Sequence, residues 1–207
     1  MPRHKDADRE DIRSETRHLL LQAATEEFAR EGYSGANINR ISKNAGFAKG
    51  TIYNYFESKR ALMFALIDEI AAGHLDHMLQ QVLQEEDPAR RLKRFFAAGF
   101  SWVTDNLPQG RVLFTTLNGP DMEFKTHMYE AYLPLFHLVG QEILAVGIEQ
   151  GIFRQVEPVS TAGLIMTIYL GTGSQVNELG EQWTPADQVS DFILKSLQVQ
   201  QNQNQNK

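Results

Sequence analysis

The chain has 207 residues, 42% of them hydrophobic, a net charge of −6 and no cysteine. That is apolar material enough for one large or two modest cores, and it excludes disulfides, thiol catalysis and cysteine-ligated metals. The polar opening "MPRHKDADREDIRSE" lacks an export-type apolar segment, and "AGLIMTIYLGTG" is too short to span a bilayer, so a cytoplasmic protein without a membrane partner is expected.

Apolar residues recur at helical spacing and nowhere alternate as in strands, so the predicted class is all-α with about nine helices. The first runs from about Ile12 to Glu31, with Ile12, Leu19, Leu20, Ala23, Ala24 and Phe28 on one face and Gly32 as its stop; residues 1–11 read as a frayed lead. Asn37 suits the N-cap of a short second helix, where Ile38, Ile41 and Ala45 share a face before Gly46. The third is Lys49 to Phe56, anchored inward by Ile52 and Phe56. Ser58 caps a fourth that reaches about Glu86, Pro88 opens a fifth to about Asn106, and 110–118 forms a short sixth. A seventh extends from Met122 to about Gln150 with a kink at Pro134. "GIFRQVEP" is a turn, and Val159 to Leu179 and Pro185 to Gln198 complete the set. The low-complexity tail at 200–207 is expected to be disordered. Three segments follow: a head at 1–57, a body at 58–199, and the tail.

Two short helices joined by a glycine turn make a helix-turn-helix, whose second helix enters the major groove of DNA. With Ile52 and Phe56 inward, the third helix turns Gly50, Tyr53 and Asn54 outward and keeps Lys49, Thr51 and Tyr55 on its flanks. Tyrosine and asparagine tips suit phosphates and base edges, and a glycine lets the backbone approach closely. The charge agrees. Residues 37–60 hold five cations (Arg40, Lys43, Lys49, Lys59, Arg60) against Glu57 alone, while residues 60–207 carry ten cations against seventeen acids. A basic patch on an acidic body holds a phosphate backbone locally. Lys59 and Arg60 also occupy the first turn of the fourth helix, where the helix dipole disfavours cations, which argues for an anion at that end.

Residues 14–62, above all "INRISKNAGFAKGTIYNYFESKRAL", closely resemble the DNA-binding region of the TetR (tetracycline repressor) family; "GIFR" at 151–154 is similar to the turn after that family's seventh helix. The resemblance implies a dimer of all-helical subunits, each with a three-helix DNA-reading head and a larger ligand-holding body. By position, Asn39, Lys49, Gly50 and Tyr53 fall where the family reaches bases; Thr51, Asn54, Tyr55 and Lys59 fall where it holds phosphates, and Asn37 and Arg60 complete the expected phosphate set. Two residues depart from the pattern. Ala48 stands where a capping serine is frequent, so the third helix lacks a hydroxyl cap. Arg60 stands where an acid is common, which predicts a steeper salt dependence.

In the body, Phe96, Phe100, Trp102, Phe114, Met128 and Phe136, with Met166 and Tyr169 on the eighth helix, are candidates to line a cavity for a hydrophobic or aromatic small molecule; Trp102, His127 and Tyr132 are its candidate polar tips. Aromatics at helical spacing are more often plain core. The run 162–170 is unusually apolar for an outer helix and needs a cover. Leu164, Ile168, Gly171 and Gln175, with Val189, Phe192, Ile193 and Leu197 on the last helix, are the expected seam between two subunits. His74 and His77 have helical metal-ligand spacing but lack a third ligand, which favours an exposed helix face. "GTGSQV" lacks the strand and third glycine of a nucleotide loop. No nucleophile, cofactor loop or metal set emerges; the helix-turn-helix and the resemblance imply a ligand-released transcriptional repressor bound to a pseudo-palindromic double-stranded operator. The alternative is a helical ligand carrier whose head no longer reads DNA.

Overall fold

The computed structural model describes residues 3–176 and 181–199, with side chains from Arg9 onward. The expected tail and the end of the expected eighth helix, 177–179, lie outside the described residues. The elements are α1 (Arg3–Gly35), α2 (Ile38–Asn44), a 3-10 turn (Thr51–Asn54), α3 (Lys59–Val82), α4 (Pro88–Asp105), α5 (Leu107–Asn118), α6 (Met122–Ala131), α7 (Leu133–His137), a π-helical segment (Leu138–Ala145), α8 (Val146–Glu149), α9 (Pro158–Gly173) and α10 (Ala186–Leu197). Among the described residues the only β pairing is two isolated bridges, Phe153 with Gln198 and Val176 with Gln182. The class is all-α, as the periodicity predicts.

Local chemistry sets the boundaries. Ser58 Oγ accepts the Ala61 N–H, and Asp87 Oδ1 accepts the Arg90 N–H with Pro88 at the first helical position. Three expectations change. α1 starts at Arg3, so the lead is helical, and Ile12 is 63% exposed; the inward face begins only at Leu20, where the helix meets the rest of its unit. Gly32, with φ 66 and ψ 174, interrupts regular helix where the stop was expected, and the chain resumes one short helical stretch to Gly35. The third helix is a four-residue 3-10 turn: Gly50 adopts φ +91, which an α-helix cannot contain, and no side chain caps the turn. The seventh helix splits at Tyr132, because Pro134 lacks an N–H and fits only the first turn of α7.

The chain forms two compact units, Met1–Ile70 with Pro108–Met128, and Ala71–Leu107 with Tyr129–Lys207. The segment 1–57 lies wholly in the first unit, while 58–199 is divided between both. In the first unit α1 packs on α2 and α2 on the 3-10 turn, burying Leu20, Leu21, Phe28, Ile41, Ile52, Leu62, Leu66 and Ile67. In the second, α4 packs against α10, α9 and the π segment around Met78, Leu92, Phe95, Phe96, Leu135, Val139, Ile143 and Leu144. Each such side chain contributes about 1.5–3 kcal/mol on burial.

Candidate nucleic-acid interface and effector nest

In the first unit, the helix-turn-helix is organised around an acid that the sequence reading passed over. Glu27 of α1 is fully buried at 0% exposure. Its Oε1 accepts the Asn37 N–H (2.8 Å) and Arg40 Nε (2.8 Å), and its Oε2 accepts an Arg30 nitrogen (2.6 Å). A buried carboxylate is tolerable only with such partners. Here the partners lock the start of α2: Asn37, held by its own N–H, turns its amide oxygen to accept the Asn39 and Arg40 N–H groups. The signal was present in the sequence, since Glu27 follows Ala24 by three residues and adjoins Phe28 on the apolar stripe.

Past α2 the chain turns through Gly46 (φ +85) and Gly50 (φ +91). The Thr51 N–H donates to Ala48 O (3.0 Å) and the Tyr53 N–H to Gly50 O (3.1 Å), closing the 3-10 turn. Ile52 and Phe56 point inward, as expected, and Tyr53 is 55% exposed. Asn37, Asn39, Lys49 and Asn54 are exposed; Gly50, Thr51 and Tyr55 are half-buried. The turn therefore exposes the Tyr53 phenol, the Asn54 amide and Lys49 beside Gly50, where a Cβ would meet nothing within 4 Å.

Lys59 and Arg60 correct the sequence argument. The anion it called for at the start of α3 is supplied by the chain itself. Arg60 forms a bidentate pair with Asp121 (2.8 and 3.0 Å), also bonds Glu123, and lies over the Phe124 ring at 4.5 Å. That pairing holds the Asp121 carboxyl below the usual carboxylate range. Lys59 Nζ donates to Ser34 O (3.0 Å) and Ala36 O (2.8 Å), over the ring of Tyr33. Arg60 is thus paired within the chain, while Lys59 spends two N–H groups on carbonyls and meets no acid among the described residues. Arg60→Gln is accordingly expected to leave the slope of log affinity against log salt unchanged in DNA titrations, where loss of a phosphate contact flattens it by about 0.9.

The expected cavity residues are divided between the two units. Phe114, His127 and Met128 belong to the first unit; His127 Nε2 meets Asp68 Oδ1 at 2.6 Å beside Phe64, and Phe114 is exposed. Phe96, Phe100, Trp102, Tyr132, Phe136, Met166 and Tyr169 are in the second unit, and five of them, Phe96, Phe100, Trp102, Met166 and Tyr169, are buried. Three of them, Trp102, Tyr132 and Tyr169, surround His74, which is only 3% exposed and so overturns its reading as an exposed helix face. Its Nδ1 lies 3.1 Å from Tyr132 Oη and its Nε2 3.1 Å from Tyr169 Oη, while Trp102 stacks on the imidazole at 4.2 Å. Burial, with a contribution from His77, lowers the His74 pKa to about 3, so the ring is neutral near pH 7. Burial likewise raises both phenols, keeping them protonated. The Tyr169 ring lies directly on Gly99, where a Cβ would overlap it. No three His, Asp or Glu side chains converge as a metal site among the described residues.

The expected subunit seam also divides. Leu164 is 67% and Phe192 69% exposed, Gly171 and Gln175 are exposed and Ile168 is half-buried, but Val189, Ile193 and Leu197 sit in the chain's own core. Spaced at four-residue steps, those three form the inner stripe of α10 and leave Phe192 on the other side. No single helix among the described residues is long and apolar enough to cross a membrane.

Residues 20–66 match the family model described as bacterial regulatory proteins, tetR family. The fatty acid metabolism regulator protein of Bacillus subtilis is 24% identical over 87% of this chain and 89% of its own length. The crystal structure of the regulator FadR from Bacillus subtilis with stearoyl-CoA superposes with a TM-score of 0.77 at 20% identity, covering 87% of this chain and 98% of that one. That of AibR with isovaleryl-CoA and operator DNA gives 0.70 at 17%, covering 88% and 97%. Residues 20–66 thus form a DNA-binding head of tetR type with its reading turn exposed, on an all-α frame shared along nearly the whole chain with solved transcriptional regulators.

Proposed function

We propose that the chain represses transcription as a homodimer, holding two half-sites of a pseudo-palindromic operator and releasing them when an acyl-CoA thioester binds in the second unit. The observation that carries the reading is the outward face of the 3-10 turn, with Tyr53 exposed beside the positive-φ Gly50. Asn39, Lys49, Gly50 and Tyr53 would meet base edges; Thr51, Asn54, Tyr55 and the free amide nitrogen of Asn37 would meet phosphates. For the dimer, the support is the bare apolar surface of α9 and α10 at Leu164, Ile168 and Phe192, with Gly171 allowing close approach. For the effector, it is the aromatic cluster around His74, together with similar structures that hold stearoyl-CoA and isovaleryl-CoA.

The test is fluorescence anisotropy with the DNA upstream of the protein's own gene. Two chains are expected per duplex, with stearoyl-CoA or isovaleryl-CoA releasing the complex. Tyr53→Ala is expected to cost about 1–3 kcal/mol of operator affinity, roughly 5- to 150-fold, with no change in melting temperature. Sequence-selective binding that survives Tyr53→Ala unchanged would overturn the assignment of this face.

A further inference from the structure

Neutral His74 carries one N–H and one lone-pair nitrogen, and each lies 3.1 Å from a tyrosine hydroxyl. The imidazole and the two phenols together own three polar protons, and they make two contacts. Whichever tautomer is present, one proton is left without an acceptor, and neither phenol has another hydrogen-bond partner among the described residues. If Nε2 carried the proton, the idle one would belong to Tyr169, sealed at 4% exposure against Gly99. Burying an unused donor there is costly. The favoured arrangement has the Tyr169 hydroxyl donating to Nε2 and the Nδ1–H donating to Tyr132 Oη. The idle proton is then the one on Tyr132, a residue at the break between α6 and α7 that is half-buried as a whole although its hydroxyl is desolvated. One turn along α3, His77 Nε2 is a second buried polar atom with no partner.

We propose that the Tyr132 hydroxyl, aligned by His74 and Tyr169, is the donor that recognises an uncharged carbonyl oxygen of the effector, so that the protein takes acyl thioesters and refuses both the matching free acids and analogues without the carbonyl. This rests on the effector reading above and names the atom it turns on. The donor is neutral and backed by a neutral base, so it satisfies a carbonyl fully. A carboxylate would bring a charge into an aromatic nest whose hydrogen-bonded members carry none, and burying an unpaired charge is far costlier than burying a paired carbonyl. Trp102, stacked on His74, holds the imidazole plane that aligns the phenol.

The experiment compares stearoyl-CoA, its thioether analogue S-octadecyl-CoA and stearate by quenching of Trp102, in a Trp183→Phe background. The wild-type protein is expected to bind the thioester at least about ten-fold more tightly than either competitor, the scale of one hydrogen bond to a buried group. Tyr132→Phe, which keeps the ring, is expected to erase the difference between thioester and thioether. Infrared spectra of 13C-carbonyl stearoyl-CoA provide a second readout: the stretch moves to lower wavenumber on binding wild type and stays in place with Tyr132→Phe. Equal binding of thioester and thioether, preference retained in Tyr132→Phe, or an unshifted carbonyl in the wild-type complex would each overturn the proposal while leaving an acyl-CoA effector standing. If neither stearoyl-CoA nor isovaleryl-CoA binds at all, the effector reading and the carbonyl assignment fall together.

Discussion

Glu27→Ala is expected to destabilise the protein by about 2–3 kcal/mol, a fall of roughly 5–10 °C in melting temperature. Three losses combine. The Asn37 N–H forfeits its acceptor, Arg30 and Arg40 forfeit theirs, and a void opens beneath the start of α2. The figure lies below the 3–5 kcal/mol typical of a broken buried pair because both arginines are partly exposed and can turn to water. Glu27→Leu separates structure from reading. A leucine fills the volume and restores much of the melting temperature, yet it leaves Arg40 and the N-cap unfixed, so operator affinity in anisotropy titrations should still fall. Stability and affinity both restored by leucine would reduce Glu27 to a filler of space.

Acidification should expose the second large effect. The His74 pKa, about 3 in the folded chain, lies below the unfolded value near 6.5, so between these limits the unfolded state binds more protons. The stabilisation is complete above pH 6.5 and is lost as the pH falls through the window toward 3. Between pH 7 and pH 5 this group alone should remove about 2 kcal/mol. Urea unfolding at the two pH values checks it: the wild-type loss should exceed that of His74→Gln, which keeps a donor and an acceptor but cannot titrate. Identical losses in the two proteins would place the acid sensitivity elsewhere.

What could be read from the sequence was local. The cap at Ser58, the helix start at Pro88, the inward pair Ile52 and Phe56, and the glycine turn at Gly46 each depend on neighbours within a few residues, and each appears as read or nearly so. Gly50 was recognised as a point of close approach, but its positive φ also ends regular helix, so the reading element is a single tight turn. Arg60 was misjudged because its anion arrives from Asp121 and Glu123, sixty or more residues away. His74 looked like a surface pair with His77 because the hydroxyls that bury it come from Tyr132 and Tyr169, 58 and 95 positions along. The last helix was correctly placed but its sides were merged: Val189, Ile193 and Leu197 look inward and Phe192 outward, a distinction that needs the phase of α10 against α4.

The seat of the Tyr169 ring on Gly99 has an evolutionary corollary. Even a methyl at position 99 would evict the phenol that orients His74, and a smaller residue at 169 would leave the glycine facing an empty notch. The two positions are therefore free to drift only in concert. A descendant that acquires alanine at 99 should have exchanged the aromatic at 169 as well, and with it the partner that fixes the His74 tautomer.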